Sequence, residues 1–382
     1  MTLDTAEGLL SELLLGTVVY LDIPDELHAV AEARYTTVGS WLAAEEGGTD
    51  SAWDMYPQGS FLLGTVVRPI GDESEYDIDM VCRRGLAEAA TTPTDLKAEV
   101  GDALRRYARS NTKDVPRACH EGRRCWTLEY GEGFHMDVLP AIPDPATTGT
   151  GIKLTDRAET GWLRSDPKAY EAWFKHRMEQ QLLEGRRALA AEIRKSLDEV
   201  PEWRVKTTLQ RAVQVLKRHR DLFFAEDGDD RPPSVLVTTL AARAYAGEAQ
   251  LYEAVMVACD AMPALLDCSN GEWQVLNPVQ PEENFADKWT EHPERAARFN
   301  EWVDALRRDL DAALSERGLD KVAERLAKGL GEREVQKSAA QLADRYRIAR
   351  EVGALTAIGG LSIDTPGRSV PQHDFYGSGE AG

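Results

Sequence analysis

Two aspartates separated by one residue, Asp77 and Asp79, lie in the apolar segment YDIDMVC. Because side chains alternate along a strand, both carboxylates would point to one face while Ile78 and Met80 point to the other. The apolar flanks indicate a buried strand, where a carboxylate without a partner is costly. Neighbouring carboxylates repel each other unless a cation lies between them, and their hard oxygen ligands suit Mg²⁺. The pattern therefore predicts a magnesium site on one strand face.

A glycine-serine pair, Gly59-Ser60, precedes this strand. The backbone N–H groups and the hydroxyl of such a turn can contact phosphate oxygens. A phosphate-binding turn beside metal-binding carboxylates indicates nucleotidyl transfer. Gln58, directly before the turn, either contacts the nucleotide or structures the loop, and the sequence leaves both interpretations open.

A third carboxylate, Asp137, lies in the strand-like segment GFHMDVLPAIP. We expect an antiparallel sheet to bring it beside Asp77 and Asp79. In a two-metal mechanism, ions about 3.5–4 Å apart stabilise the attacking and leaving oxygens of an in-line displacement. The first two aspartates would hold both ions, and Asp137 would hold the ion nearest the attacking ribose hydroxyl and help to deprotonate that hydroxyl. For Asp137 alone, a strand-end acid facing water is an equally good interpretation.

Each motif alone has a simpler interpretation. A D-x-D pair more often lies on a solvated surface than in a site, and only its combination with Asp137 and the apolar flanks favours a metal site. Three histidines show no metal-ligand spacing and are interpreted as core or surface residues: His135, His176 and His219. A zinc site at residues 119–125 lacks its second Cys/His pair, so we expect no structural metal there.

Together these motifs resemble those of polymerase-β-type nucleotidyltransferases, in which a GSFLLGT-like turn and a DID strand precede a later aspartate. More narrowly, the chain resembles the cGAS/DncV-like nucleotidyltransferases (CD-NTases) of bacterial anti-phage systems, relatives of oligoadenylate synthases. Three later segments carry this narrower resemblance: LQRAVQVLKRHRDLFF, RPPSVLVTTLAARAY and NPVQPEENFADKW. The resemblance implies an α+β fold with a polymerase-β-like nucleotidyltransferase lobe (a mixed or antiparallel sheet with helices), a helical second lobe, and an active site in the cleft between them.

The resemblance also implies roles for two residues of the helical lobe. Lys217 matches a family lysine that reaches the triphosphate, although a solvated basic helix face is the default for such a lysine. Ser234 follows two prolines, so it could cap a helix, contact the donor phosphates or base, or do both. Family members often have an aromatic residue after this serine to stack on the base, whereas this chain has Val235. The residue that stacks on the base therefore stays open.

A chain of 382 residues exceeds the usual size of a single core, which predicts more than one lobe. We expect a catalytic lobe at 1–165 that includes the N-terminal helices, a helical oligoadenylate-synthase-like lobe at 166–361, and a flexible tail at 362–382. Single continuous helices are predicted at 167–199 and at about 318–350.

The tail is rich in Gly, Ser and Pro and cannot bury enough apolar area to offset its ordering entropy, so we expect it to be mobile. In some systems of the resembling family, a regulator captures the flexible C-terminus or a ubiquitin-transfer-like enzyme conjugates it. We therefore expect residues 362–382 to bind a regulator or such an enzyme and to contribute nothing to the chemistry.

Composition limits the partners. With 65 acidic and 45 basic residues, the net charge is −20, which argues against a constitutive surface for long duplex nucleic acid. No run approaches the roughly 18 apolar residues of a membrane span, and the five cysteines show no disulfide spacing. We expect a reduced, cytoplasmic protein without membrane contact.

The expected function is condensation of NTPs, with ATP among them, into a cyclic di- or trinucleotide second messenger for anti-phage defence, with release of pyrophosphate. Two Mg²⁺ ions would serve as cofactors, with Mn²⁺ as an alternative. Two other functions stay open: a nucleotidyltransferase that tails an RNA primer, against which the charge argues, and a catalytically inactive nucleotide-binding module. Inactive copies usually lose a metal carboxylate, and this chain keeps all three candidates.

Overall fold

A seven-stranded mixed sheet organises the first half of the chain in the computed structural model, which describes residues 6–45, 53–71, 75–131, 133–147, 149–157, 161–196, 204–357, 361–363 and 368–370. Two helices precede the sheet: α1 (Ala6–Leu21) and α2 (Asp25–Glu45). The next elements in chain order are β1 (Trp53–Pro57), α3 (Gly59–Leu63), β2 (Tyr76–Arg84), α4 (Pro93–Ala108), β3 (Ala118–Glu121), β4 (Trp126–Glu129), β5 (Phe134–Pro143), β6 (Ile152–Leu154) and β7 (Leu163–Ser165).

The two acidic strands, β2 and β5, are neighbours in the sheet order β1-β2-β5-β4-β3. They run parallel, with Asp79 in register with Asp137, while the other pairs of this sheet are antiparallel. The expectation of an antiparallel arrangement for the acidic strands is therefore wrong. The physical reason is the long connection from β2 to β5, which runs through α4 and the β3–β4 hairpin. It returns the chain to the end of the sheet at which β2 begins, so β5 starts beside the first residue of β2.

Alternation along the acidic strands separates an apolar face from a polar one. Ile78, Met80, Met136 and Val138 are fully buried and belong to a hydrophobic cluster that also contains residues of α2 and α4. Burying each such side chain contributes about 1.5–3 kcal/mol relative to leaving it exposed. This packing fixes the opposite, aspartate-bearing face toward the second half of the molecule.

The close approach of α4 to the sheet gives a stability prediction at Gly101. A Cβ atom at this position would lie 2.1 Å from Cζ2 of Trp126, whose ring is buried. Gly101→Ala should therefore lower the free energy of unfolding by about 1–3 kcal/mol through overpacking. A thermal melt checks this, with Gly39→Ala on α2 as the matched control, because a Cβ there makes only an ordinary 3.4 Å contact with Met55. The control should melt at or above the wild-type temperature, and a Gly101 variant that did the same would refute the packing argument.

The second half of the chain is helical. Its helices are α5 (Pro167–His176), α6 (Glu179–Ile193), α7 (Thr208–Phe223), α8 (Ser234–Ala244), α9 (Leu251–Ala261), α10 (Glu294–Ser315), α11 (Leu319–Leu330) and α12 (Glu332–Glu351). Helix α7 contacts α8, α9, α10 and α11, and α1 packs into the same apolar cluster although it precedes the sheet in sequence. The division into lobes at 1–165 and 166–361 stays a prediction. No helix among the described residues is long and apolar enough to cross a membrane.

Two helices that the sequence predicts as continuous are interrupted. The first ends at His176, and α6 begins at Glu179 after a break that is held by Arg177, which donates to the carbonyl of Ala242 at 2.9 Å. The second is divided by Gly331, whose φ of +100° is a conformation that glycine adopts without steric cost. Helical periodicity continues across both breaks in the sequence, which is why the pattern alone predicts one helix in each case. Residues 197–203 lie outside the described residues.

A small antiparallel sheet follows α12, with β8 (Leu355–Ala357) between β9 (Leu361–Ile363) and β10 (Arg368–Ser369). Within the segment 362–382, which the sequence predicts to be flexible, the described residues include residues of β9 and β10, and the flexibility of the segment stays a prediction. Residues 371–382 lie outside the described residues.

Candidate active site

A cavity of about 410 Å³ lies between the polar face of the sheet and the helical half of the chain. The residues that line it come from α3, β2, β5, β6, β7, α5, α7, α8 and the loop before α10. Of the site residues predicted from sequence, Asp137 does not line this cavity. The others do: Gln58, Gly59, Ser60, Asp77, Asp79, Lys217 and Ser234.

The turn between β1 and α3 is packed directly against Asp79. The backbone N–H of Gln58 donates to the carbonyl of Asp79 at 2.9 Å, and Gly59 has a φ of +61°. A Cβ atom on Gly59 would lie 2.4 Å from Oδ2 of Asp79. Glycine is therefore required here for two reasons, the left-handed backbone and the missing space for a side chain.

Gly59→Ala should consequently lower catalytic efficiency about 100-fold or more, because displacement of a positioned carboxylate by 1 Å can cost that much. Steady-state kinetics of nucleotide turnover checks this. Gly247→Ala is the control, since its φ of +102° is also a backbone conformation that L residues rarely adopt, while nothing lies within 4 Å of the added Cβ. Comparable losses of activity in both variants would show that strain, rather than contact with Asp79, is responsible.

On the polar face, the parallel register of β2 and β5 brings the acidic groups together. Ligand atoms of Asp77, His135 and Asp137 all lie within 4.8 Å of one another. Asp137 is oriented by two neighbours: Thr127 Oγ1 donates to Oδ1 at 2.5 Å, and Cys125 Sγ donates to Oδ2 at 3.2 Å. The two donors come from β4 and the turn before it, so the antiparallel β4–β5 pair positions this carboxylate.

The electrostatics of the acidic face match a site that needs a cation. Burial, together with the charges of Asp77 and Asp137, raises the pKa of Asp79 to about 8. Burial and the neighbouring Asp137 raise the pKa of the Cys125 thiol to about 12, so this thiol is a neutral donor at physiological pH. Clustered carboxylate oxygens that repel one another are the donor set that a hard divalent cation stabilises.

His135 is a member of this cluster that the sequence interpretation missed. Its Nε2 lies 3.5 Å from Oδ1 of Asp77 and its Nδ1 lies 3.7 Å from Oε2 of Glu75. The hydrogen bond with Asp77 raises the pKa of His135. The structure places His135 beside the acidic site, which its interpretation as a core or surface residue did not include. The i, i+2 spacing between His135 and Asp137, which places both on one strand face, is the signal that could have identified it.

Lys217 lies on α7 and is buried, so the solvated helix face considered from sequence does not apply. Its Nζ donates to the carbonyl of Thr65 at 3.1 Å and lies 3.3 Å from the hydroxyl of Thr65. Burial, assisted by the charge of Arg220, lowers the pKa of Lys217 to about 7.

Other polar side chains of α7 hold the segment that follows α3. Gln210 Nε2 donates to the carbonyl of Leu63 at 2.9 Å, and Gln214 Nε2 donates to the carbonyl of Val66 at 2.7 Å. Both glutamines are buried. Helix α7 therefore supplies the side-chain donors that hold the segment after α3 beside Lys217.

Ser234 is the first residue of α8, whereas Pro233 occupies the N-cap position and makes no side-chain capping hydrogen bond. The N-cap interpretation of Ser234 is therefore wrong. Its hydroxyl instead accepts a hydrogen bond from Arg220 Nη1 at 2.9 Å, and it lines the cavity next to Val235.

Several cavity residues carried no signal in the sequence, because distant segments bring them together. They are Thr65, Arg124 and Tyr170. The loop at 277–284, part of a segment that carries the narrower resemblance, lines the cavity through Asn277 and Glu283, and the next residue, Phe285, lines it too. Asn284 instead supports the loop, with Oδ1 accepting from the backbone N–H of Val275 at 2.9 Å.

The sequence of this chain is similar to those of known proteins. Residues 21–177 match the model of the Second Messenger Oligonucleotide or Dinucleotide Synthetase domain. A c-di-GMP synthase of Roseivirga ehrenbergii is 32% identical over 286 residues, which cover 71% of this chain and 72% of that protein. The cyclic dinucleotide synthase CdnG of Bradyrhizobium diazoefficiens is 26% identical over an alignment of 391 positions, which spans 94% of this chain and 89% of that protein.

The fold is also similar to a solved structure. The CD-NTase CdnG of Bradyrhizobium diazoefficiens, determined in complex with GTP, matches with a TM-score of 0.71 at 24% identity over 87% of this chain and 99% of that chain. The α+β fold expected from the sequence is thereby confirmed.

Proposed function

The chain belongs to the bacterial cGAS/DncV-like nucleotidyltransferases, and we propose that it condenses two nucleoside triphosphates, GTP among them, into a cyclic dinucleotide. It is a cyclic oligonucleotide synthase. The choice of a dinucleotide is supported by the names of its relatives, a c-di-GMP synthase and a cyclic dinucleotide synthase. The choice of GTP is supported by the same c-di-GMP synthase and by the GTP complex of the similar structure.

One observation carries the proposal. Two aspartates of the acidic face, Asp77 and Asp79, line the same cavity as the Gly59-Ser60 turn and the buried Lys217. A triphosphate needs positive charge and N–H donors along its β- and γ-phosphates, and metal-binding carboxylates near its α-phosphate. This cavity presents both sets of groups.

Asp77, Asp79 and Asp137 fit a divalent metal, because their carboxylates repel one another and the pKa of Asp79 is raised to about 8. We propose two Mg²⁺ ions, with Mn²⁺ as an alternative, held by these three residues. His135 lies beside Asp77 as a neighbouring group. When bound, such ions would neutralise charge on the reacting phosphate and activate the attacking hydroxyl.

The protein side chains would position the reaction. A ribose hydroxyl attacks the α-phosphate of the donor, a new P–O bond forms, and the bond to the departing pyrophosphate breaks. Lys217 would contact the triphosphate, and the Gly59-Ser60 turn would orient its β- and γ-phosphates with Gln58 beside it. Ser234 would contact the donor nucleotide, with its hydroxyl oriented by Arg220. Asp137, held by Thr127 and Cys125, would help to accept the hydroxyl proton.

We further infer that the product is a second messenger in anti-phage defence and that ATP is also a candidate substrate. The C-terminal residues 362–382 are proposed to bind a regulator or a ubiquitin-transfer-like enzyme and to take no part in synthesis. The net charge of −20 supports an enzyme that does not need long duplex nucleic acid for its activation.

The purified protein, incubated with Mg²⁺ and radiolabelled NTPs, tests the proposal. The expected product keeps its label after phosphatase treatment, because a cyclic dinucleotide has no terminal phosphate. A labelled RNA primer added to the same reaction should stay at its original length. Extension of the primer would favour the tailing enzyme instead, and label that phosphatase removes completely would favour the inactive nucleotide-binding module.

A further inference from the structure

Glu283 is a carboxylate in the cavity that the proposed reaction does not use. It lines the cavity together with Ser165, Asn277 and the aromatic residue Phe285. Unlike Asp77 and Asp79, Glu283 is not one of the carboxylates to which we assign cations, and a negative charge without a cation repels phosphates. Its ligand must therefore be a part of the nucleotide that donates hydrogen bonds.

The protein holds Glu283 by one oxygen and leaves the other to the cavity. Oε2 accepts from Asn277 Nδ2 at 2.7 Å and from Ser165 Oγ at 3.1 Å. Among the residues that the structure describes, no side chain or backbone group donates to Oε1. An ionised carboxylate has about four lone-pair sites, so Oε1 keeps about two for a ligand. The loop is fixed as well, since the backbone N–H of Asn277 donates to the carbonyl of Glu283 at 2.8 Å.

The walls around this carboxylate suit a flat ring. Tyr170 and Phe285 line the cavity with their centroids 6.2 Å apart and their planes at 83°. The hydroxyl of Tyr170 is bonded to Thr239 Oγ1 at 2.7 Å, so its ring is fixed in place. Val235 adds an apolar contact surface. Aromatic and aliphatic walls with one polar group that sets orientation are typical of a pocket for a nucleobase.

Among the nucleobases, only guanine presents two adjacent N–H donors, N1–H and the 2-amino group, on its Watson–Crick edge. Adenine and cytosine place an acceptor nitrogen beside their amino group, and uracil places its single N–H between two carbonyl oxygens. An acceptor-only carboxylate therefore attracts guanine and repels the ring acceptor of adenine. Buried polar groups left without partners make such discrimination large.

We propose that Glu283 is a specificity-determining residue, whose carboxylate accepts hydrogen bonds from N1–H and the 2-amino group of guanine and thereby selects GTP. The inference rests on the proposed function, since it assigns the base to the pocket in which nucleotidyl transfer would occur.

Replacement by glutamine makes a sharp test. In Glu283→Gln, the side-chain oxygen would keep the donors Asn277 and Ser165, so the amide NH₂ would face the cavity. An NH₂ group repels guanine N1–H and suits the N1 acceptor of adenine. The substitution should therefore shift the preference from GTP toward ATP rather than weaken both nucleotides equally. Glu282→Gln is the matched control, because Glu282 is exposed and pairs with Arg164 outside the cavity.

Titration calorimetry with the α,β-methylene analogues of GTP and ATP in Mg²⁺ measures this preference without turnover. The wild-type protein should bind the GTP analogue about 100-fold more tightly, and Glu283→Gln should reduce this ratio to below about 10-fold. The control should keep the wild-type ratio. An unchanged ratio in Glu283→Gln, or an equal loss of affinity for both analogues, would overturn the proposal and assign Glu283 to loop structure or ribose contact.

A second measurement needs no variant. The inosine triphosphate analogue lacks the 2-amino group but keeps N1–H, so the wild-type protein should bind it about 10-fold more weakly than the GTP analogue. Equal affinity for the two would contradict the role of Glu283 even if Glu283→Gln failed to fold. Selective GTP binding without any synthesis would contradict the proposed function alone, whereas synthesis without base selectivity would contradict the Glu283 assignment alone.

Discussion

Simultaneous replacement of Asp77 and Asp79 by asparagine is expected to lower the rate of product formation by about four orders of magnitude. Both carboxylates lie on the polar face of β2 and line the cavity, and the parallel register pairs Asp79 with Asp137. Asparagine keeps the volume of each side chain but removes the charge that would bind the metal ions. Pyrophosphate release, measured with a coupled assay, gives the rate.

This variant should remain folded, because removing two of the mutually repelling carboxylates relieves strain in the metal-free protein. Thermal melts with and without Mg²⁺ separate metal binding from folding. The wild-type protein should melt at a higher temperature in Mg²⁺, and the variant should lose this shift. Asp54→Asn on β1 is the control, since Asp54 pairs with Arg83 at 2.9 Å and does not line the cavity. A double variant that kept both the Mg²⁺ shift and the activity would contradict the assignment of the metal site.

Replacement of Lys217 by methionine is expected to lower kcat/KM for NTPs about 100- to 1000-fold, which is typical for loss of a charge that stabilises a transition state.

Burial holds the pKa of Lys217 at about 7, against 10.5 for an ordinary lysine. Between these values the unfolded chain binds more protons at this position than the folded chain. The contribution of Lys217 to stability therefore rises with pH from about 7 to 10.5 and is least favourable below pH 7.

Two measurements follow from this pH dependence of Lys217. Lys217→Met should melt close to or above the wild-type temperature near pH 6.5, because the folded state no longer holds a buried charge there, although the hydrogen bonds to Thr65 are lost. In the wild-type protein, the KM for NTPs should rise about fivefold from pH 7 to pH 8, since the lysine must gain a proton to bind a triphosphate. The variant should lack this rise. A strongly destabilised variant near pH 6.5, or the same pH dependence in both proteins, would refute the role given to Lys217.

The acidic strand and the glycine-serine turn could be predicted from sequence because their signals are local. Asp77 and Asp79 alternate with Ile78 and Met80, and this period of two fixes their common face wherever the strand lies. Gly59 has a local backbone requirement that only glycine meets at low cost.

Features that depend on distant segments were not predictable in the same way. The parallel pairing of β2 and β5 depends on the path of a long connection, and the break at Gly331 lies within a pattern that is otherwise helical. The contact of α1 with α12 joins the two ends of the described chain. Glu283 reaches the cavity only because the loop before α10 folds against Ser165 of β7.

Mass spectrometry of the product from an equimolar mixture of the four NTPs with Mg²⁺ tests the central claim most directly. The account predicts a cyclic dinucleotide that contains guanosine, with one pyrophosphate released for each phosphodiester bond formed. A linear product with a terminal triphosphate, or a cyclic product without guanosine, would contradict it.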